Sequence, residues 1–350
     1  MAHIESETPV VGSATKRSRA LLQRAIEVGI SLGFLALALR GINFADLLAA
    51  LRQANYWWLI PGVVITVALL FLKAWRWQRL ILPEHRLPFK SVFTAMCAGY
   101  LASNVLPARA GELARLVLLV SEQPVSVART FSTIIVERLL DLLTLIVVLA
   151  VLLPFVTLPE GLSEVARGIT WAALAAALAM LIFSFWKERL LWIARRLFGR
   201  VRILDRPQVY DAIGHLIDGF ATLRGRLGVW LIFVSLVGWL GVIGMAWSAG
   251  VALQLEAPVT AMAFAVVVTT LWMLVPSSPG YIGVFHYWAA WAVMQFGVPK
   301  DQAVSFALLW HATNYLTLCA SGVIALWVHG TSLGQVMQRW RARAPVSREA

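Results

Sequence analysis

Six charged side chains lie within or beside apolar segments of the chain, at spacings that would place them on shared helix faces. The first three are Arg109, Glu112 and Arg115, which follow one another at i, i+3 and i+6. If helix resumes after Pro107, Glu112 can pair with either arginine. Arginine holds phosphate bidentately, and free N–H groups at a restarted helix add positive charge. This group is therefore a candidate anion-binding cluster, with a salt bridge that only pins a helical hairpin as the alternative.

The other three are Glu137, Arg138 and Asp141, inside the apolar segment 128–153. Glu137 and Asp141 are one helical turn apart, and Arg138 can reach Asp141 at i+3. At about 1.5 Å per residue, Glu137 lies some 14 Å along this helix, close to the bilayer centre. Charged groups at that depth face protein or a water-filled cavity. We therefore predict that they pair with the arginines of the first group in a polar centre that contacts a lipid headgroup, with a purely structural network as the alternative.

Two helix breaks interrupt the apolar segments, and both read Pro-x-x-x-Gly, which ends or turns a helix. The break residues are Pro107 and Gly111 in the first, and Pro276, Pro279, Gly280 and Gly283 in the second. An inverted pair of broken helices is typical of a transporter binding site near the membrane midplane. Further polar candidates beside the breaks are Asn104, Ser277, Ser278 and His286.

The composition excludes a soluble protein. Of 350 residues, 60% are apolar or aromatic and 14% are charged, whereas soluble domains are about 25% charged. Soluble enzymes, disordered chains and disulfide scaffolds are therefore ruled out. The net charge of +12 sits in a few basic clusters between apolar runs, which favours an anionic lipid surface over nucleic acid as the partner. Cys97 and Cys319 have no metal-ligand spacing around them, so no metal is expected.

The basic clusters also predict sidedness. Apolar segments run over about 25–39, 57–72, 91–106, 128–153, 169–186, 229–253, 261–275, 282–296 and 303–328. Basic residues mark a cytoplasmic loop at 73–90, while 154–168 is poor in Lys and Arg and is placed outside. The stretch 91–127 must then start and finish in the cytoplasm, which predicts a re-entrant hairpin. The stretch 261–302 fits a second hairpin or two full crossings.

The predicted fold is all-α: a polytopic integral membrane bundle of about six to eight transmembrane helices, with one or two re-entrant broken helices. Residues 1–24 form a cytoplasmic N-terminal tail, 25–328 a transmembrane domain, and 329–350 a basic cytoplasmic C-terminal tail. A cytoplasmic amphipathic linker at 187–228 divides the domain, with apolar residues at helical spacing over 205–226.

Catalytic motifs are absent. The sequence has no phosphate-binding glycine loop, no His-x-x-x-His pair and no Gly-x-Ser-x-Gly elbow. Arginine neighbours would keep the paired carboxylates ionised, which favours binding or gating over acid/base chemistry. We therefore expect neither enzymatic activity nor a cofactor.

Three motifs carry a family resemblance: Asn104-Val-Leu-Pro-Ala-Arg-Ala-Gly-Glu-x-x-Arg115, Val136-Glu-Arg-x-x-Asp141 and Pro276-Ser-Ser-Pro-Gly-Tyr-Ile-Gly283. Together they resemble the lysylphosphatidylglycerol synthase transmembrane family, also described as flippase-like. The resemblance covers residues from about 25 to 330. It implies a bundle with re-entrant segments that moves a modified phospholipid between leaflets, or that is linked to glycolipid, hopanoid or polyprenol-lipid metabolism.

Two departures from the family pattern change the expectation. Bifunctional members carry a soluble aminoacyltransferase domain after the membrane region, whereas this chain stops at Ala350, so no aminoacyl transfer is expected. Just after the third motif, this chain has Phe285-His286 at a position where the family resemblance implies an acidic residue.

The sequence therefore predicts a multi-pass protein of the bacterial inner membrane, with both termini cytoplasmic, that binds and flips a phospholipid, glycolipid or isoprenoid-type lipid. The alternatives are an intramembrane lipid-modifying enzyme and a non-catalytic scaffold for a lipid-biosynthesis enzyme. Expected partners are anionic lipids or lipid-linked headgroups, with a second copy of the chain or a biosynthetic enzyme as further candidates.

Overall fold

The computed structural model describes residues 11–81, 87–106, 110–156, 186–198 and 225–343, with five single residues between positions 164 and 214. Within these ranges the regular structure is helical and contains no strand, so the all-α prediction is confirmed. The helices in these ranges are α1 (Val11–Leu39), α2 (Phe44–Gln53), α3 (Leu59–Ile81), α4 (Phe89–Val105), α5 (Ala110–Glu122), α6 (Val127–Leu152), α7 (Lys187–Phe198), α8 (Gly225–Ala252), α9 (Val259–Trp272), α10 (Val284–Met294), α11 (Lys300–Val328) and α12 (Leu333–Arg343).

Two of the described helices are long and apolar enough to cross a membrane. One covers Tyr56–Ile81, which is α3 with the 3₁₀ turn before it, and the other is α8. A third span results if Ala25–Leu39 and Phe44–Gln53, which meet at a bend of 86°, are counted together. These spans confirm a polytopic helical membrane bundle. The total of six to eight spans stays a prediction, because most of segment 169–186 lies outside the described residues.

Helix α6 supplies the carboxylates of the candidate site. It has 26 residues and is therefore about 39 Å long, more than the hydrocarbon thickness of a bilayer. Glu137, Arg138 and Asp141 lie near its midpoint, so α6 carries three charged residues within two helical turns. It packs against α3, α5, α8 and α9, and Glu137 on its charged turn is buried.

The first predicted hairpin consists of α4 and α5, which pack directly against each other. A Cβ atom at Gly111 would overlap the carbonyl oxygen of Gly99 and the side chain of Ser103. Glycine at 99 and 111 therefore lets the two backbones touch. Pro107 and Arg109, in the connection between the helices, lie outside the described residues.

The second predicted break separates α9 from α10. The chain leaves helix after Trp272, forms a 3₁₀ turn at Pro279–Tyr281 and resumes helix at Val284. Gly280 and Gly283 have φ of 69° and 89°, values that glycine adopts without strain. With 14 and 11 residues, α9 and α10 are about 21 and 17 Å long, so neither reaches across about 30 Å of hydrocarbon.

The predicted tails and linker contain helix where they are described. Helix α1 begins at Val11, inside the predicted N-terminal tail, and α12 lies inside the predicted C-terminal tail, where Val336 packs into the core beside α5. Helix α7 begins the predicted linker. The amphipathic stretch 205–226 lies outside the described residues, apart from Gly214 and the start of α8.

Candidate functional site

Glu137 is the centre of a buried ion network. Its Oε2 accepts a hydrogen bond of 2.9 Å from Arg115 Nη1, and its Oε1 lies 3.5 Å from Arg76 Nη2. Only 1% of the Glu137 side chain is exposed, and only 3% of each arginine side chain. The contact between Glu137 and Arg115 joins α6 to α5 in the pairing that the sequence predicts. An ionised carboxylate at this depth needs such partners.

Asp141 lies one turn further along α6, at the edge of the same network. Its Oδ1 accepts a hydrogen bond of 2.6 Å from Arg76 Nη1, which also donates to Ser235 Oγ on α8 at 2.6 Å. The Asp141 side chain is 15% exposed, so it is the acidic group of the network that reaches the surface. We call Arg76, Arg115, Glu137 and Asp141 the charge centre.

Arg76 corrects the sequence analysis, which places it in a cytoplasmic loop together with Lys73 and Arg79. All three lie inside α3, which continues to Ile81. The loop interpretation is wrong for these residues. A charged residue interrupts an apolar run in the sequence, but it can still lie inside a membrane helix when other helices supply its partners, as α6 does for Arg76.

The second arginine of the charge centre is fixed on several sides. The Arg115 guanidinium lies 4.9 Å from the centre of the Trp77 ring, in a cation–π contact. Gly99 allows the close approach of the Arg115 side chain, since a Cβ at position 99 would lie 3.1 Å from Arg115 Cβ. Arg115 therefore joins α5 to α3, α4 and α6.

Glu112 and Arg138 form a separate outer pair. Although the sequence predicts that Glu112 pairs with Arg109 or Arg115, its Oε1 lies 2.7 Å from Arg138 Nε. The two side chains are 45% and 47% exposed. Arg138 Nη1 is also 3.9 Å from Asp141 Oδ2, the predicted i+3 contact. The outer pair thus lies beside the charge centre and is much less buried than it.

A groove opens onto the charge centre between α3, α6 and α8. It is shallow: the space in it for a water-sized molecule is about 20 Å³, and the rest of the groove is open to the surface. Its polar lining is Lys73, Arg76, Asp141 and Ser235, and its apolar lining includes Leu72, Val234, Trp239 and Val242. The Trp239 indole donates to Thr144 Oγ1 at 2.9 Å, which fixes α8 against α6 at this point. The groove therefore combines cationic, acidic and apolar surfaces.

Replacing Ser235 with alanine is expected to destabilise the protein by about 1–2 kcal/mol, because Arg76 Nη1 loses one of its two acceptors while Asp141 remains. The measurement is thermal unfolding in one detergent. Ser248→Ala on the same helix is the matched control, because Ser248 Oγ donates only to a carbonyl of its own helix. Equal melting temperatures for the two variants would contradict this role of Ser235.

The polar residues at the second break form a different cluster. His286 Nδ1 accepts a hydrogen bond of 3.2 Å from the Gly283 N–H, and His286 Nε2 lies 3.0 Å from His311 Nδ1. The Ser278 N–H donates to Ser31 Oγ on α1 at 2.7 Å. His286 is thus one of a pair that stabilises the break, a pairing that a separation of 25 residues does not reveal in the sequence.

The two predicted breaks come together at Asn104, on the last turn of α4. A Cβ at Gly280 would lie 3.5 Å from the Asn104 carbonyl oxygen. The Tyr315 hydroxyl is also 3.5 Å from that oxygen. Ser277 has a buried Oγ with no hydrogen-bond partner among the described residues. The ends of the two helical hairpins are therefore in contact.

Comparison with known proteins identifies the family. Neither a curated protein nor a solved structure matches the chain significantly. A family described as the lysylphosphatidylglycerol synthase TM region matches residues 24–322, which include the charge centre, the outer pair and both breaks. That match covers most of the 350 residues, and the chain therefore belongs to the lysylphosphatidylglycerol synthase TM region family.

Proposed function

We propose that this membrane protein binds the polar headgroup of a lipid in the groove and moves the lipid between leaflets. The observation that carries the proposal is the position of the groove. It lies between α3 and α8, the two helices best suited to cross a membrane, and has charged groups at its base. A charged group inside a bilayer is costly and marks a polar pathway in many membrane proteins.

The surroundings of the groove suit the acyl part of a lipid. Leu72, Val234 and Val242 line it, and Phe233 and Leu240 on α8 are 62% and 65% exposed. Large exposed apolar side chains of this kind are typical of surfaces that contact other apolar molecules. A lipid could therefore place its headgroup against the polar lining of the groove, which includes Lys73 and Arg76, while its chains stay in the hydrocarbon.

The broken helices support a path for the headgroup. We propose that α4–α5 and α9–α10 are re-entrant hairpins that enter from opposite sides, because α9 and α10 are too short to cross. The basic clusters of the sequence support an inner-membrane location with cytoplasmic termini. Irregular backbone at membrane depth is tolerated where it is buried in protein or lines a cavity.

The carboxylates support binding without chemical catalysis. Glu137 and Asp141 each contact a guanidinium group, which stabilises their ionised form. A general acid or base in this position would have to exchange a proton with the substrate. We therefore propose a transport protein and not an enzyme, with the lipid as its partner.

Leaflet-resolved lipid movement in proteoliposomes tests the proposal. We expect the purified protein to accelerate the movement of headgroup-labelled phospholipid, and Asp141→Asn to slow it by about tenfold or more, because Arg76 loses its shortest ion pair. The matched control is Glu256→Gln, which neutralises an exposed carboxylate in the loop before α9.

Lipid movement no faster than in protein-free liposomes would contradict the proposed transport. Equal rates for the wild-type protein and Asp141→Asn would remove the charge centre from the mechanism. Thermal unfolding of each variant in the same lipid separates loss of transport from loss of the fold.

A further inference from the structure

The charges around the groove do not balance. The charge centre, the outer pair and Lys73 together contain four basic groups and three acidic ones: Lys73, Arg76, Arg115 and Arg138 against Glu112, Glu137 and Asp141. The described residues of the site therefore carry one excess positive charge. In a medium of low dielectric constant, such a charge attracts an anion strongly.

The excess charge can be assigned to one side chain. Each of the three arginines has a carboxylate oxygen within 3 Å. Arg76 pairs with Asp141, Arg115 with Glu137 and Arg138 with Glu112. Lys73 has no such partner. Among the ion pairs of the described residues none includes Lys73, and its Nζ donates a hydrogen bond of 3.0 Å to the Tyr100 hydroxyl.

Lys73 is also placed where a ligand can reach it. It lines the groove on α3, one turn before Arg76, and its side chain is half-buried. An ammonium group has three N–H donors, and Tyr100 occupies one of them. The remaining donors can therefore bind anionic oxygens at the groove.

From this balance we propose that the groove selects a headgroup of net charge −1, such as a phosphodiester, whose anionic oxygens bind Lys73. This inference rests on the proposed function and adds the charge class of its lipid. A phosphodiester oxygen at Lys73 neutralises the excess charge, whereas a zwitterionic headgroup leaves it in place. Lys73 is thus the specificity-determining cation, and the arginines hold the carboxylates around it.

Lipid binding to the full chain in nanodiscs tests this assignment. Fluorescent phosphatidylglycerol, a monoanion, and phosphatidylcholine, a zwitterion, are compared with identical acyl chains. We expect the wild-type protein to bind the monoanion about tenfold more tightly. Lys73→Met should reduce that preference to about twofold or less, because it removes the charge and keeps an unbranched side chain. Lys73→Arg should retain the preference.

The control is Lys90→Met, which removes an exposed lysine from the first turn of α4 and should leave the preference unchanged. Dimethyl phosphate, a free phosphodiester, is added as a competitor. Displacement of the monoanionic lipid by dimethyl phosphate at millimolar concentration would identify free phosphodiester as the preferred ligand and overturn the assignment to a lipid.

The failures of the two proposals can be told apart. If the wild-type protein binds both lipids equally, or if Lys73→Met keeps the tenfold preference, Lys73 does not select a monoanionic headgroup. Lipid binding itself would still be supported. If neither lipid binds, the proposed function fails and the charge assignment fails with it. If Lys73→Met and Lys73→Arg unfold at about the same temperature as Lys90→Met, a changed lipid preference results from the binding site and not from loss of the fold.

Discussion

Replacing Glu137 with glutamine is expected to destabilise the protein by about 3–5 kcal/mol, the usual cost of breaking a buried ion pair from one side. The Glu137 carboxylate contacts both Arg76 and Arg115, and all three side chains are at most 3% exposed. Without its charge, Arg115 loses its carboxylate partner in the charge centre, and Arg76 keeps only Asp141. Thermal unfolding and lipid movement should both show the loss, since the same residues hold α3, α5 and α6 together.

Glu112→Gln is the matched comparison for this variant. It also removes one carboxylate that pairs with arginine, but the pair is about half exposed. Exposed pairs contribute about 0–1 kcal/mol, so its unfolding temperature should stay close to that of the wild-type protein. Equal destabilisation by the two variants would show that the burial of Glu137 does not decide its importance.

Gly111→Ala is expected to have a similarly large effect, about 3 kcal/mol, through the backbone. The added methyl group would overlap the Gly99 carbonyl oxygen and the Ser103 side chain, so α4 and α5 must separate. Arg115 lies one turn after Gly111 on α5, and it would be displaced from Glu137. We therefore expect a lower unfolding temperature together with slower lipid movement.

Gly29→Ala provides the control, because no atom lies within 4 Å of a Cβ built at this position in α1. Alanine is favoured over glycine inside a helix by about 1 kcal/mol, so this variant should be unchanged or slightly more stable. A wild-type unfolding temperature for Gly111→Ala would mean that the two helices can move apart freely.

The sequence alone predicts the fold class and one ion pair of the charge centre, the one that Glu137 forms with an arginine of the first group. Long apolar runs with few charges determine a helical membrane protein, because backbone polar groups must be satisfied within the helix. A pairing of Glu137 with Arg109 or Arg115 follows from the cost of a lone charge at membrane depth, and the structure identifies Arg115 as the partner. Neither inference depends on knowing how the helices pack in three dimensions.

The rest of the site depends on that arrangement. Arg76 is 65 residues before Asp141 in the chain, and only the packing of α3 against α6 brings them together. Ser235 adds a third helix to this contact, and nothing in the local sequence distinguishes it from other serines in apolar segments. The same holds for His286 and His311, which belong to different helices.

The close contact at Gly283 has a consequence for how the protein is assembled. The space for a side chain at Gly283 is filled by the backbone carbonyl of Ser31, and the Ser278 N–H donates to the Ser31 hydroxyl. The segment from Pro276 to Gly283 therefore reaches its final shape only against α1. The ribosome synthesises α1 before this segment, so α1 is already in place when the segment folds against it. If the chain is divided into two fragments between α1 and this segment, we expect lipid movement only when both fragments are produced in the same cell.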